Sequence, residues 1–220
     1  MRSRRPAVAL ALAASLLGGF GLLQPRSEAS TGPRALFFGD SLFAGTGTSP
    51  KRPVLPTDTA RLMHWRPTVD AFGGTGYTTP GHNPKGRPYL FRLQHDGYLT
   101  RHRYDVIVLE GGTNDALLGD LPDLSARVRE VVAYVRSKQP QARLVVVGGF
   151  TPDGHDNDRF REMERTLAAT VHDLRLQYVS QYGYHVLDKG FLYKDHFHPN
   201  RQGYRRMASD LATQVRGAKI

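Results

Sequence analysis

The strongest constraint on how this chain can fold is a series of short extended runs, each closed by glycine or a polar turn and separated from the next by residues at helical spacing. Ala35 to Phe38 stops at Gly39, Thr68 to Phe72 stops at Gly73-Gly74, and Tyr104 to Leu109 ends in Glu110-Gly111-Gly112. Leu144 to Val147 is closed by Gly148-Gly149, and Tyr184 to Leu187 reads as a fifth strand. Between them Asp58 can cap a helix running to about Trp65, and Leu124 to Lys138 carries Val128, Val131, Val132 and Val135 on one helical face. A long helix is expected from Asp158 to Tyr182, with Met163, Leu167, Val171 and Leu174 aligned, and a last one from Gly203 to Val215. Short strands alternating with helices predict a parallel sheet covered on both faces, with ligands bound beyond the carboxyl ends of the strands. Ser41, Gly76, Asn114 and Phe150 all fall just past such ends.

The first 29 residues stand apart from this pattern. Arg2, Arg4 and Arg5 precede an apolar run from Ala7 to Leu23, and Ser27 and Ala29 place small residues where a signal peptidase cuts. The expectation is a leader over 1–29, cleaved after Ala29, and one domain over 30–220 that is secreted or faces the cell envelope. The alternative is an uncleaved anchor, which the shortness of the run and Gly18, Gly19 and Gly21 disfavour. No repeat or linker divides the remainder. With no cysteine, neither disulfides nor thiolate metal sites are open to the chain, so the core must supply its stability. Formal charge is +10, and +7 without the leader, but the arginines are scattered and form no aromatic-basic stripe, so no nucleic acid partner is expected. The glycine-rich stretch Ala44 to Lys51 lacks the Gly-Lys-Ser/Thr of a phosphate-binding loop. Pro80 to Pro88, with His82, Lys85 and Arg87, reads as a loop. No feature fixes an oligomeric state.

Chemistry concentrates at three of the strand ends and near the C-terminus. A serine hydroxyl needs a base within hydrogen-bond reach, an acid orienting that base, and donors for the developing oxyanion. Ser41 lies at a strand-to-helix turn, where backbone N–H groups face incoming negative charge. His198 can take its proton, and Asp195, three residues earlier, can hold the other ring nitrogen. Asn114, with the backbone N–H groups of Ser41 and Gly76, can bind the oxyanion. Against this, a serine after a strand often caps a helix, Asn114 and Asp115 can serve as turn and capping residues, and Asp195, His196 and His198 could be zinc ligands. The zinc reading lacks a further ligand at motif spacing. The Gly-x-Ser-x-Gly elbow of α/β-hydrolases is absent.

Taken together, Gly39-Asp40-Ser41-Leu42, the glycine turn around Gly76, Gly112-Thr113-Asn114-Asp115 and Asp195-His196-Phe197-His198-Pro199 resemble the four ordered blocks of the SGNH (GDSL) esterase and lipase family. The resemblance spans nearly all of 30–220. It implies a three-layer α/β/α fold with a parallel, flavodoxin-like five-stranded sheet and no metal or organic cofactor. It further implies Ser41 as nucleophile, His198 as base, Asp195 as its partner, and Ser41, Gly76 and Asn114 as oxyanion donors. The turn offers Gly73, Gly74 and Gly76. Gly76 is chosen because Tyr77-Thr78-Thr79 resembles the family's continuation, with Tyr77 where an aspartate is common. The implied activity is ester hydrolysis, with short O-acyl groups on a small molecule or polysaccharide preferred over lipid acyl chains. The rival class is a non-catalytic module that binds anionic polymer.

Overall fold

The computed structural model describes residues 31–81, 86–151, 157–182 and 189–217. The first 30 residues, His82, Lys85, His155 and the expected strand Tyr184–Leu187 lie outside them. Five parallel strands form one sheet: β1 (Arg34–Gly39), β2 (Arg66–Ala71), β3 (Val106–Glu110), β4 (Arg143–Val147) and β5 (Gln177–Val179), in the order β2-β1-β3-β4-β5. This is the flavodoxin-like order, whose topological switch point lies between β1 and β3. The helices are α1 (Ser41–Ala44), α2 (Val54–Met63), α3 (Tyr89–His95), α4 (Tyr98–Arg101), α5 (Thr113–Leu118), α6 (Leu124–Lys138), α7 (Asp158–Asp173) and α8 (Arg201–Gly217).

Strand side chains alternate between faces, so adjacent residues of one strand enter two different cores. Leu36, Phe38, Ile107, Leu109 and Val146 pack beneath α3, α6 and α7, against residues such as Leu93, Val128, Val132, Met163 and Leu167. Ala35, Phe37, Val108, Val145 and Val147 face the other way, onto Phe43, Leu55, Met207, Leu211 and Val215 of α1, α2 and α8. Burial on both sides explains why β1, β3 and β4 read as nearly continuous apolar runs. The three-layer α/β/α arrangement follows.

Three elements differ from the sequence reading. Helix α7 ends at Asp173, not at Tyr182. Leu174 closes it, and Arg175 turns left-handed at φ 52°, with its N–H donating to His172 O, so the chain re-enters the sheet as β5. The apolar residues at Leu174, Leu176 and Tyr178 pack beside the core from this short strand region, which helical spacing alone had absorbed into the helix. Helix α2 begins at Val54, directly after Pro53, and Asp58 lies within it. Proline's fixed φ and missing N–H suit a helix start, so Pro53 and Pro56 permit the earlier entry. Finally, Asn114 and Asp115 lie inside helix α5, a short element that the sequence reading does not mark.

Candidate active site

The crevice outside the carboxyl ends of β1 and β3 holds the candidate residues. β1 runs into Asp40, whose carboxylate Oδ1 accepts the Leu42 N–H at 2.9 Å and caps α1. Ser41 is the first residue of that helix and is 9 % exposed. Gly45, at φ 73°, stops the helix after four residues, where a Cβ would fall 1.6 Å from Arg52 O.

His198 reaches Ser41 from the far end of the chain. Leu192 and Pro199 pair in an isolated antiparallel bridge, the Tyr193 N–H donates to His198 O at 2.8 Å, and Asn200 Oδ1 accepts the N–H groups of Gln202 and Gly203 at the start of α8. This frame sets His198 Nε2 3.0 Å from Ser41 Oγ and His198 Nδ1 2.8 Å from Asp195 Oδ2. Asp195 Oδ1 accepts the N–H groups of Phe197 and His198, each at 3.0 Å. Partial burial works to raise the Asp195 carboxyl, but the hydrogen bonds from His198 and from these two N–H groups outweigh it and hold the group below the ordinary carboxylate range. Ser41, His198 and Asp195, separated by up to 157 positions, therefore form one continuous hydrogen-bonded chain.

Asn114, in the first turn of α5, is 7 % exposed. Its Nδ2 donates to Asp40 Oδ2 at 2.8 Å and to Thr75 O at 3.0 Å. Gly76 is not placed as expected. Its N–H donates to Thr79 O at 2.9 Å, and a Cβ there would meet the Asp115 carboxylate 2.5 Å away. Asp115, expected as a turn or capping residue, instead gathers this loop: its carboxylate accepts the N–H groups of Tyr77 and Thr78 and the Thr78 hydroxyl. The glycine beside the serine is Gly73, where a Cβ would lie 3.5 Å from Ser41 Cβ. The turn after β2 thus brings Gly73, three residues before Gly76, against Ser41.

A cavity of about 500 Å³ opens over Ser41, bordered by Thr46, Gly73, Gly74, Asn114, Leu117, Leu118, Phe197 and His198. Leu117 and Leu118 remain 37 % and 43 % exposed at its edge. Sequence reasoning missed what lies beneath. Arg92 is buried with its guanidinium over the Phe38 ring, donating to Gly39 O, Thr75 Oγ1 and Asp70 Oδ1. Asp40, Glu110 and Asp115 are fully buried. Burial, together with the neighbouring Asp115, pushes the Asp40 carboxyl up to about 6 against the lowering effect of its hydrogen bonds and of Arg92. Burial also raises Asp115, and raises Glu110 well above its ordinary value with Asp40 adding to the shift. A charge at the inner end of an apolar strand, as at Glu110, was the one available signal.

This arrangement pairs an oriented serine and histidine with an apolar cavity, which suits acyl transfer. The pattern of the GDSL-like lipase/acylhydrolase family matches residues 37–206. A multidomain esterase of Ruminococcus flavefaciens is 25 % identical over 135 residues, which are 58 % of this chain and 18 % of that protein, so the chain spans under a fifth of this relative. Among solved structures, a family two carbohydrate esterase from Clostridium thermocellum in complex with cellohexaose is similar at TM-score 0.65 and 18 % identity, over 84 % of this chain and 63 % of that one. A structure described as a putative arylesterase from Agrobacterium tumefaciens is similar at TM-score 0.65 and 17 % identity, over 84 % and 98 %. At these identities the two structures speak to the fold. The family match covers most of the chain, and with the α/β/α architecture around its four blocks it places this protein in the GDSL-like lipase/acylhydrolase (SGNH hydrolase) family of carboxylic ester hydrolases.

Proposed function

We propose that this protein is a serine esterase in which Ser41 Oγ attacks an ester carbonyl. The observation that carries this reading is the pair of distances from Ser41 Oγ to His198 Nε2, 3.0 Å, and from His198 Nδ1 to Asp195 Oδ2, 2.8 Å. His198 takes the serine proton and passes it to the leaving alcohol, forming an acyl-enzyme. Water then attacks the acyl carbon, with His198 again as base. Asp195 holds the Nδ1–H tautomer and stabilises the imidazolium. The oxyanion is received by the backbone N–H groups of Ser41 and Gly73, in place of Gly76, and by Asn114 once the amide turns one N–H from Thr75 O.

Short acyl groups carried on a carbohydrate are the preferred substrate, supported by the modest cavity and by the carbohydrate esterases that share the fold. A second reading, an acylhydrolase of longer chains, is favoured by Leu117 and Leu118 at the cavity edge. Hydrolysis of p-nitrophenyl esters from acetate upward tests both. Ser41→Ala should lower turnover by on the order of 10⁴-fold or more, and equal hydrolysis by the two proteins would refute the serine mechanism. A maximum beyond about eight carbons would displace the short-acyl reading, since each buried CH₂ adds about 0.8 kcal/mol.

The charged start, apolar run and small residues of positions 1–29 support export with cleavage after Ala29. Mass spectrometry of the protein recovered outside the cytoplasm should find a chain beginning at Ser30. Recovery of the intact N-terminus would favour an anchor.

A further inference from the structure

Glu110 is the last residue of β3 and lies, fully buried, behind the turn that carries Ser41. Its Oε2 accepts the Asp40 N–H at 3.2 Å, and a Cβ on Gly39 would fall 2.5 Å from that oxygen, so the glycine of the Gly39-Asp40-Ser41 segment makes room for this carboxyl.

The donors around each buried acid differ in number. Asp115 receives three, from the Tyr77 and Thr78 N–H groups and the Thr78 hydroxyl. Asp40 receives one on each oxygen, from Leu42 N–H and Asn114 Nδ2. Asp70 receives Arg92. Among the described residues Glu110 receives only the Asp40 N–H, and its Oε1 meets no donor. The hydrogen bonds of Arg92 go to Gly39 O, Thr75 Oγ1 and Asp70, not to Glu110. The other titratable groups facing Glu110 are Asp115, Tyr77, Tyr89 and Tyr204, and each would add negative charge on ionising. An ionised Glu110 would be a buried charge with no ion-pair partner among the described residues, whereas a carboxylic acid turns one of its two acceptors into a donor beside Asp40.

We propose that Glu110 is a positioning residue: as a neutral carboxylic acid it donates a hydrogen bond to Asp40, and Asp40 in turn fixes the Asn114 amide and the first turn of the helix bearing Ser41. Burial raises both carboxyls, and a hydrogen bond between them works to lower Asp40 and to raise Glu110 further. Glu110 touches no substrate. It acts by keeping Asp40 ionised and doubly engaged, so that the nucleophile and a proposed oxyanion donor share one support. The inference rests on the serine esterase reading for its effect on turnover, but not for the protonation state of Glu110.

The test compares wild type, Glu110→Gln and Glu110→Leu, with Ser41→Ala as the inactive reference. In the infrared difference spectrum at pH 7, wild type should show a protonated carboxyl stretch that Glu110→Gln lacks. Only ionised carboxylate bands would overturn the proposal. Exchange of the Asn114 side-chain amide protons should quicken in Glu110→Leu and stay slow in Glu110→Gln, whose amide still donates to Asp40; equal exchange in all three would also overturn it. Both readings are taken without substrate, so they stand apart from the esterase reading, which fails if wild type hydrolyses p-nitrophenyl acetate no faster than Ser41→Ala. With an active wild type, Glu110→Leu should lower kcat by about 10-fold or more with KM within about 3-fold, while Glu110→Gln keeps kcat within about 3-fold. Unchanged kcat in Glu110→Leu, or equal losses in both variants, would refute the positioning role. Should Glu110→Leu not fold, the infrared band and the kcat of Glu110→Gln decide, and loss of either counts against the proposal.

Discussion

At the scale of single residues, Asp40 carries two conflicting demands. Its carboxylate accepts the Leu42 N–H and the Asn114 amide, which favours ionisation, yet burial pushes its pKa up to about 6 from 3.8. A raised acid pKa means that the folded chain binds this proton more tightly than the unfolded chain does. The resulting stability is fully present below the unfolded pKa and is lost as pH rises through about 6. At pH 7 the ionised group therefore counts against the folded state. Urea unfolding of wild type and Asp40→Asn across pH 4 to 7 should show the difference shifting in favour of the variant as pH rises. Parallel profiles would show that Asp40 does not titrate in this range. Hydrolysis should follow the opposite course, failing in wild type as pH drops below about 6. Asp40 was legible in the sequence only as the neighbour of Ser41; its burial depends on Glu110 and Asn114, 70 and 74 positions away.

At the scale of elements, α1 is the segment least able to form alone. Four residues are too few for a helix to persist on propensity, since nucleation fixes several dihedrals for one hydrogen bond. Asp40 holds its start and the left-handed Gly45 its end, after which Gly47 packs against His198 Cβ, 3.1 Å from where a Cβ of its own would be. Gly45→Ala should cost about 1–3 kcal/mol, because a side chain at positive φ is strained and the Arg52 carbonyl blocks it. The displaced loop should also slow hydrolysis through His198. An unchanged urea midpoint would show that the segment accommodates the methyl. The strand ends at Gly39 and at Glu110-Gly111 were readable because apolar runs stop there. The end of α7 was not, since the left-handed turn at Arg175 has no glycine to announce it.

At the scale of the whole molecule, the sheet order puts β1, β3 and β4 at the interior, with β2 and β5 at the edges, so the strands that lead to Ser41 and toward Asn114 are among the protected ones. Amides of Leu36 to Phe38 and Ile107 to Leu109 should exchange only through global unfolding, and those of residues 189–199 through local opening, because the latter are held by one isolated bridge and a few turns. Equal exchange in β1 and in 189–199 would contradict this division. The sequence by itself determined the alternation of strands and helices and the two-faced burial of the sheet, because these follow from local periodicity, while its grouping of Ser41, Asn114, Asp195 and His198 came from the resemblance of four ordered blocks to a known family. Only the tertiary structure decided which glycine approaches the serine, and that three carboxyls and an arginine lie beneath it. Close approach and desolvation are set by what packs from distant parts of the chain, and no local pattern records them.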